Sequence, residues 1–402
     1  AVAVSTPAAV MRDITWQDLD SAYLGLDLRF FNNALGVTFD LYRRDTKNMI
    51  VPGEGVSLTF GAGAPKGNFG SLRTDGWEIA LDYNHRFENG LGINLMGSLS
   101  DAVTTVLKYG DTQSVDGWYV GKKYGEIWGY RTDRLYQQSD FILDTEGNPQ
   151  RIVLTENESK KYAGKSANKL SDPNGVYQPF LQNSSNFFFG PGDVKFVDLN
   201  GDGEIDAGSR LLDDHGDLEI IGNSTPRFEY GLRVGADWFG VDASIFLQGV
   251  GSRQLWGVGF LSTPGFHASD GAMPQAIAGD FWRADRTDAF YPAPYNMAGS
   301  NTGNNMQVQT KYLLDLSYLR VKNITIGYSL PSSLLNKIML NQLRLYVSLE
   351  NFFTLDHLRG LPIDPEEISG YSMFNETNYN LGRTGVGTPT FKSGSVGVQI
   401  NF

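Results

Sequence analysis

The chain has 402 residues, a formal net charge of −12, no cysteine and 41% apolar residues. No run approaches the roughly 18 uninterrupted apolar residues of a spanning helix, and the acidic balance argues against nucleic acid and anionic membrane surfaces. Disulfides and thiolate metal sites are excluded, yet aromatics reach 12% beside 47 glycines, which suits either a wet-centred β-barrel or secreted β-sandwiches.

The opening stretch AVAVSTPAAVMRDITW lacks the basic start and apolar core of a signal peptide, so an export address is expected on sequence outside this chain. Strict alternation of apolar and polar residues then predicts strands at 23–31 (YLGLDLRFF), 35–45, 75–87 and 91–100. After a long link the pattern returns at 228–238, where Phe228, Tyr230, Leu232, Val234, Ala236 and Trp238 face away from Glu229, Arg233 and Asp237. It continues at 241–248 and again at 317–330. There the apolar phase passes from Leu319 and Val321 to Ile324, Ile326 and Tyr328, and the slip predicts a bulge near Lys322–Asn323. The last strands are expected at 342–352 and 390–402, the second keeping Val396, Val398, Ile400 and Phe402 on one face to the final residue.

These runs are about 9–13 residues long, against a mean near 5–6 for soluble strands, which is the length for crossing a bilayer at a tilt. Tight turns (NNA, ENG, FG) alternate with long links at 46–74, 102–225, 251–316 and 353–389, while 331–341 is a moderate link in a short slot. Tight turns at one end and long loops at the other are the habit of an up-and-down membrane barrel. The long loops are then extracellular, and Trp77, Tyr83, Trp238, Phe239 and Phe352 are candidates for aromatic belts.

The sharpest local chemistry is DLNGDGEID at 198–206. Asp198, Asn200 and Asp202 stand at positions one, three and five of an EF-hand-type loop, with Gly203 at the sharp turn. Glu204 offers its carbonyl at seven and Asp206 a carboxylate at nine, so a structural Ca²⁺ is expected within 198–209. Position twelve is Ser209 rather than an acid, and Asp213 or Asp214 is a candidate replacement. The alternative is a solvated Asp/Gly turn.

Catalytic constellations are lacking. Four scattered histidines (His85, His215, His267, His357) have no nucleophile elbow beside them, and GAGAPKGNFG at 61–70 precedes no helix, so no enzyme is expected. Loop aromatics, chiefly Trp118, Tyr119, Trp256 and Trp282, are expected either to contact substrate or a partner or to pack loop on loop. The run Phe187, Phe188, Phe189 is expected at an interface.

Nine stretches occur in an order that resembles the C-terminal part of SusC/RagA-type TonB-dependent outer-membrane transporters. Among them are LGLDLRFFNNALGVTFDLYRRDTKNMIVP, GKKYGEIWGYRTDRLYQ, GDVKFVDLNGDGEID, SYLRVKNITIGYSLP, LRLYVSLENFFTL and the terminal VGVQINF. The resemblance implies an all-β transmembrane antiparallel up-and-down barrel of roughly twenty-two strands, of which 9–10 lie here. It also implies that plug and N-terminal domain reside outside residues 1–402, on a split, nicked or truncated remainder. A SusD-like surface lipoprotein, TonB and an oligosaccharide or oligopeptide cargo are the implied partners. Gly397, Ile400 and Phe402 resemble the terminal signal read by outer-membrane insertion machinery. A passive porin-like channel and a secreted glycan-binding β-rich module are the competing readings. A plug in the lumen excludes the first, and solubility without detergent marks the second.

Overall fold

The computed structural model describes residues 11–53, 64–110, 113–179, 187–257, 275–294, 305–335, 340–366 and 390–401. Nine long strands form one antiparallel sheet in sequence order: β1 (Asp18–Phe30), β2 (Leu35–Pro52), β3 (Lys66–Arg86), β4 (Gly92–Tyr109), β5 (Arg227–Trp238), β6 (Val241–Ser252), β7 (Tyr318–Ser329), β8 (Gln342–Asp356) and β9 (Ser393–Asn401). They run from 9 to 21 residues, so several extend well past the alternating stretches that predicted them. Among the described residues the sheet is open, with β1 and β9 at its edges.

Register turns the sequence alternation into two chemically distinct surfaces. One hydrogen-bonded row crosses eight strands as Leu28, Val37, Leu81, Gly97, Leu232, Leu247, Val321 and Phe353. The neighbouring row, on the opposite face, reads Asp27, Thr38, Ala80, Ser98, Gly231, Gln248, Arg320 and Thr354. Because the side-chain period is two, a slip of one residue would exchange these surfaces. Lys322 is the residue passed over in both pairings of β7, which is the expected bulge.

On β5 the apolar face runs from Tyr230 to Trp238, roughly 26 Å along the strand at ~3.3 Å per residue. Ion pairs mark its upper margin: Arg43 with Asp75 at 2.6 Å, Arg73 with Asp45 and Lys47 with Asp20 at 2.7 Å, and Arg227 with Asp101. No second layer covers this face among the described residues: Leu24, Leu28, Leu232, Trp238, Ile326, Val396 and Ile400 are all exposed.

The links obey the same polarity. Residues 31–34, 87–91 and 239–240 make tight turns at one end, and 330–341, which includes the short helix Ser332–Leu335, closes the fourth. All the long links gather at the other end, the largest spanning 110–226 because β4 reaches Tyr109. The hydrophobic core lies there and not in the sheet. Among the described residues its 21 buried members, from Val115 to Ile363, include none from the nine long strands. Four two-stranded sheets, such as Glu126–Tyr130 with Leu218–Asn223, stiffen this body.

Candidate functional site

Three regions hold most of the residues singled out in the sequence: the acidic loop, the aromatic recess beside β4, and the end of β9. In the acidic loop, Asp198 accepts the amides of Gly201 and Gly203 at 2.7 and 2.9 Å, and Asn200 accepts that of Asp202. Asp202 in turn accepts the amide of Glu204 and the side-chain amide of Asn200. Gly203 takes φ of +85°, the left-handed turn its position demands. Glu204 points its carboxylate at the Ser159 hydroxyl and the Lys161 amide, leaving only its carbonyl for a cation, and Asp206 is bridged by the Lys161 ammonium. Among the described residues no three acidic or imidazole groups stand close enough to hold a metal. The fit to Ca²⁺ is therefore partial: Asp198, Asn200, Asp202 and the Glu204 carbonyl suit it, and Asp206 suits it on leaving Lys161.

Of the candidates for position twelve, Asp214 accepts the Ser209 amide. The acid behind the loop is Asp217, 1% exposed, whose two oxygens accept the amides of Leu199 and Asp206 at 2.7 Å each. Burial, helped by the charge of Asp198, pushes its carboxyl above the usual range despite these bonds. Sequence spacing missed it because Asp217 lies eleven residues past the loop's ninth position.

The aromatic recess rests on β4. The Val106 amide donates to the Lys122 carbonyl and the Tyr124 amide to Thr104, so residues 121–124 continue the wall above the end of β5. The segment carries Trp118, Lys122, Tyr124 and Glu126 into an open recess of about 450 Å³, which Trp256 also lines. Trp118 stacks on Tyr124 with centroids 5.5 Å apart. Tyr119 turns inward, donating to Glu126 at 2.6 Å and accepting from the Trp128 indole at 3.1 Å; burial and the Glu126 carboxylate push its hydroxyl up to about 12. Lys122 is buried, and its ammonium donates to the carbonyls of Val115 and Gly117 while lying over the Tyr119 ring. Burial pulls its pKa below the ordinary lysine range.

Of the aromatics singled out in the sequence, the recess gathers Trp118 and Trp256. Trp282 is a core residue, 8% exposed and bonded to Gln137, which is the loop-on-loop packing of the two expectations. The expectation of an interface at the three phenylalanines is also corrected. Phe187 and Phe189 pack edge to face at 5.1 Å inside the loop core, and the Arg151 guanidinium lies 3.5 Å over Phe188. The loops form a core large enough to bury them, which strand periodicity could not reveal.

At the end of β9, Gly397 pairs with Tyr346, whose ring lies where a Cβ would stand. Ile400 pairs with Leu343 and is exposed on the apolar face. Phe402 lies outside the described residues.

No family model matches the chain. It is 24% identical over 97% of its length to TonB-dependent receptor P3 of Formosa agariphila, and 25% identical over 87% to receptor P39 of the same organism. The chain spans about a third of the length of these curated relatives, 34% and 33% respectively. Its fold matches a solved structure of the RagAB peptide transporter with a TM-score of 0.62 at 16% identity, covering 100% of this chain and 37% of that one. A RagAB importer structure in a closed-closed state matches at 0.60. These relatives are receptors and transporters rather than enzymes. The chain is homologous to TonB-dependent receptors, and its sequence and fold are consistent with a C-terminal SusC/RagA-like portion of one.

Proposed function

We propose that this chain is the C-terminal part of an outer-membrane barrel that actively imports oligosaccharides or oligopeptides. In this reading a SusD-like lipoprotein caps the assembly and TonB drives it through a segment on the remainder of the transporter. The observation that carries the reading is the uncovered apolar face, bounded above by ion pairs and matched by a polar opposite face. A soluble protein does not leave so large an apolar surface in water, whereas a bilayer covers it at no cost. Segments outside this chain complete the barrel by pairing with β1 and β9, because unpaired strand edges in hydrocarbon cost several kcal/mol per group.

Homology to TonB-dependent receptors supports the energised mechanism over a passive pore. Import itself is tested by expressing the complete transporter with and without TonB and measuring uptake of labelled oligosaccharides and oligopeptides. Uptake confined to the strain with TonB supports the proposal, and uptake in both strains overturns it in favour of a porin. Copurification of a SusD-like lipoprotein tests the partner.

A Ca²⁺ in the 198–206 loop completes the reading. Asp198, Asn200, Asp202, the Glu204 carbonyl and Asp206 hold it, and its role is to fix the loop's shape. Chelation is expected to lower the melting temperature of the outer body, and Asp202→Ala to remove the difference between chelated and calcium-loaded protein. Equal melting with and without Ca²⁺ refutes the ion.

A further inference from the structure

In the loop body, Lys311 is half-buried and its ammonium lies over the rings of Phe290 and Tyr312, 4.7 and 5.9 Å from their centroids. Among the described residues no carboxylate or carbonyl accepts from it. A ring face attracts an ammonium but does not replace the oxygen acceptors that its three N–H groups lose on burial. Arg359 lies over the same Phe290 ring at 3.9 Å, so two like charges share one ring. Burial and the Arg359 charge pull the Lys311 pKa below the ordinary lysine range. Both cations are held in place. The Tyr130 amide donates to Val308 and the Thr310 amide to Tyr130, which pins the backbone leading to Lys311. Arg359 takes φ of +56°, a left-handed backbone that favours glycine, in a turn closed by the Leu361 amide on the carbonyl of the buried Leu358.

Lys311 and Arg359 line a pocket of about 80 Å³ together with Phe290, Tyr291 and Tyr312. Phe290 meets both tyrosines edge to face, and the tyrosines stack with centroids 5.7 Å apart, so the apolar wall is rigid. The acids nearby are already engaged. Asp280, whose charge reaches Lys311, is bound by Arg286 at 2.8 Å and more loosely by Arg359 at 3.4 Å. Asp315, on the pocket margin, accepts the amide and hydroxyl of Ser317 and stands 3.8 Å from His357. Three cations, Lys311, Arg286 and Arg359, thus face two acids, Asp280 and Asp315, which leaves one positive charge in excess with His357 neutral. Arg359 gives one N–H to Asp280 and keeps four.

We propose that this pocket is an anion site for a carboxylate on a short apolar stem, its oxygens shared by the Lys311 ammonium and the Arg359 guanidinium and its stem against the rings of Phe290, Tyr291 and Tyr312. A planar carboxylate matches the fork of a guanidinium, and its single charge cancels the excess. At about 10–15 Å³ per water the pocket has room for roughly five to eight waters, enough for a carboxylate and two or three carbons but too little for a sugar ring. Inorganic phosphate carries more charge than the excess and has no apolar side to set on the rings. A free short-chain acid and a carboxylate at the end of a peptide share the required chemistry. The site stands independently of the import reading.

The test uses the complete transporter in lipid nanodiscs and saturation-transfer NMR of butyrate, with butyramide as the uncharged isostere and inorganic phosphate as competitor. Butyrate is expected to bind, butyramide is not, and phosphate is expected to displace little of the butyrate. Lys311→Met and Arg359→Gln are each expected to weaken butyrate binding about tenfold, the loss of one charge-assisted hydrogen bond. Near-UV circular dichroism identifies a variant that misfolds, and Arg359→Gln, at a side chain 54% exposed, decides the matter if Lys311→Met does so. Displacement of butyrate by N-acetyl-dialanine but not by its C-terminal amide assigns the carboxylate to a peptide end, and displacement by neither assigns it to a free acid; both results support the site. Absence of butyrate binding, equal binding of butyramide, full displacement by phosphate or by the peptide amide, or wild-type affinity in the folded variants each overturns it. None of these results touches TonB-dependent uptake, and uptake that persists without TonB leaves a measured carboxylate site standing.

Discussion

Gly397 stands where a Cβ would lie 2.2 Å from the ring of Tyr346, so the glycine is a socket for the tyrosine across the strand pair. The same arrangement recurs with Tyr42 over Gly76 and Tyr230 over Gly249. Gly397→Val is expected to destabilise the sheet by about 1–3 kcal/mol through overpacking, and Tyr346→Ala in the same chain to recover part of that loss. Urea titration of the refolded transporter in liposomes measures both. Arg320 is a second decisive residue. Its side chain is 5% exposed and binds Asp364 at 2.7 Å and Glu366 at 2.6 Å, tying the loop stem to β7. Burial alone would raise the Asp364 carboxyl, but the Arg320 guanidinium and Thr390 outweigh it and hold it at about 2. A depressed carboxyl stabilises the fold above its unfolded pKa of about 3.9 and loses that contribution as pH falls toward 2. The protection factor for amide hydrogen exchange at residues 361–366, corrected for the intrinsic pH dependence, is therefore expected to be flat above about pH 5 and to fall below about pH 4. Arg320→Met is expected to cost about 2–4 kcal/mol, because the half-buried Asp364 loses its counter-charge and Glu366 keeps only Lys322. None of this was legible in the sequence, since Arg320 and Asp364 are 44 positions apart with no motif joining them.

At the scale of strands, the sequence was a good guide. Period-two alternation located all nine, and the phase slip at Lys322 located the bulge, because a sheet with one apolar face writes its register into every second residue. The loops were opaque for the converse reason. Phe187, Phe189, Trp282 and Tyr291 are core residues of an irregular body in which burial has no period. The recess was half legible: Trp118 and Trp256 stood out as loop aromatics, whereas Lys122, Tyr124 and Glu126 sit in GKKYGE with no spacing to set them apart. Strand faces make their own prediction. Leu232→Arg, in the middle of the outward face of β5, is expected to cost about 2–4 kcal/mol on folding into bilayers. Arg233→Gln, one position along and facing the other way, is expected to change stability by less than about 1 kcal/mol. Comparable penalties for the two would reject the assignment of faces.

For the whole molecule, the distribution of apolar contacts matters more than their number. Among the described residues the wall leaves its greasy side uncovered and contributes no member to the hydrophobic core, while the links above it pack a dense interior of 21 side chains. In the proposed reading two solvents stabilise two parts of one chain: lipid sustains the strands, and water, by expelling Leu154, Ile205 and Leu316, sustains the body above. Calorimetry of the complete transporter in bilayers is expected to resolve two endotherms, the lower one abolished by moderate urea while the amide I band of the strands persists. A single cooperative transition would contradict this division. On the proposed import reading, an ordinary aqueous chaotrope thus becomes a selective tool, able to melt the loop body while the strands keep their pairing.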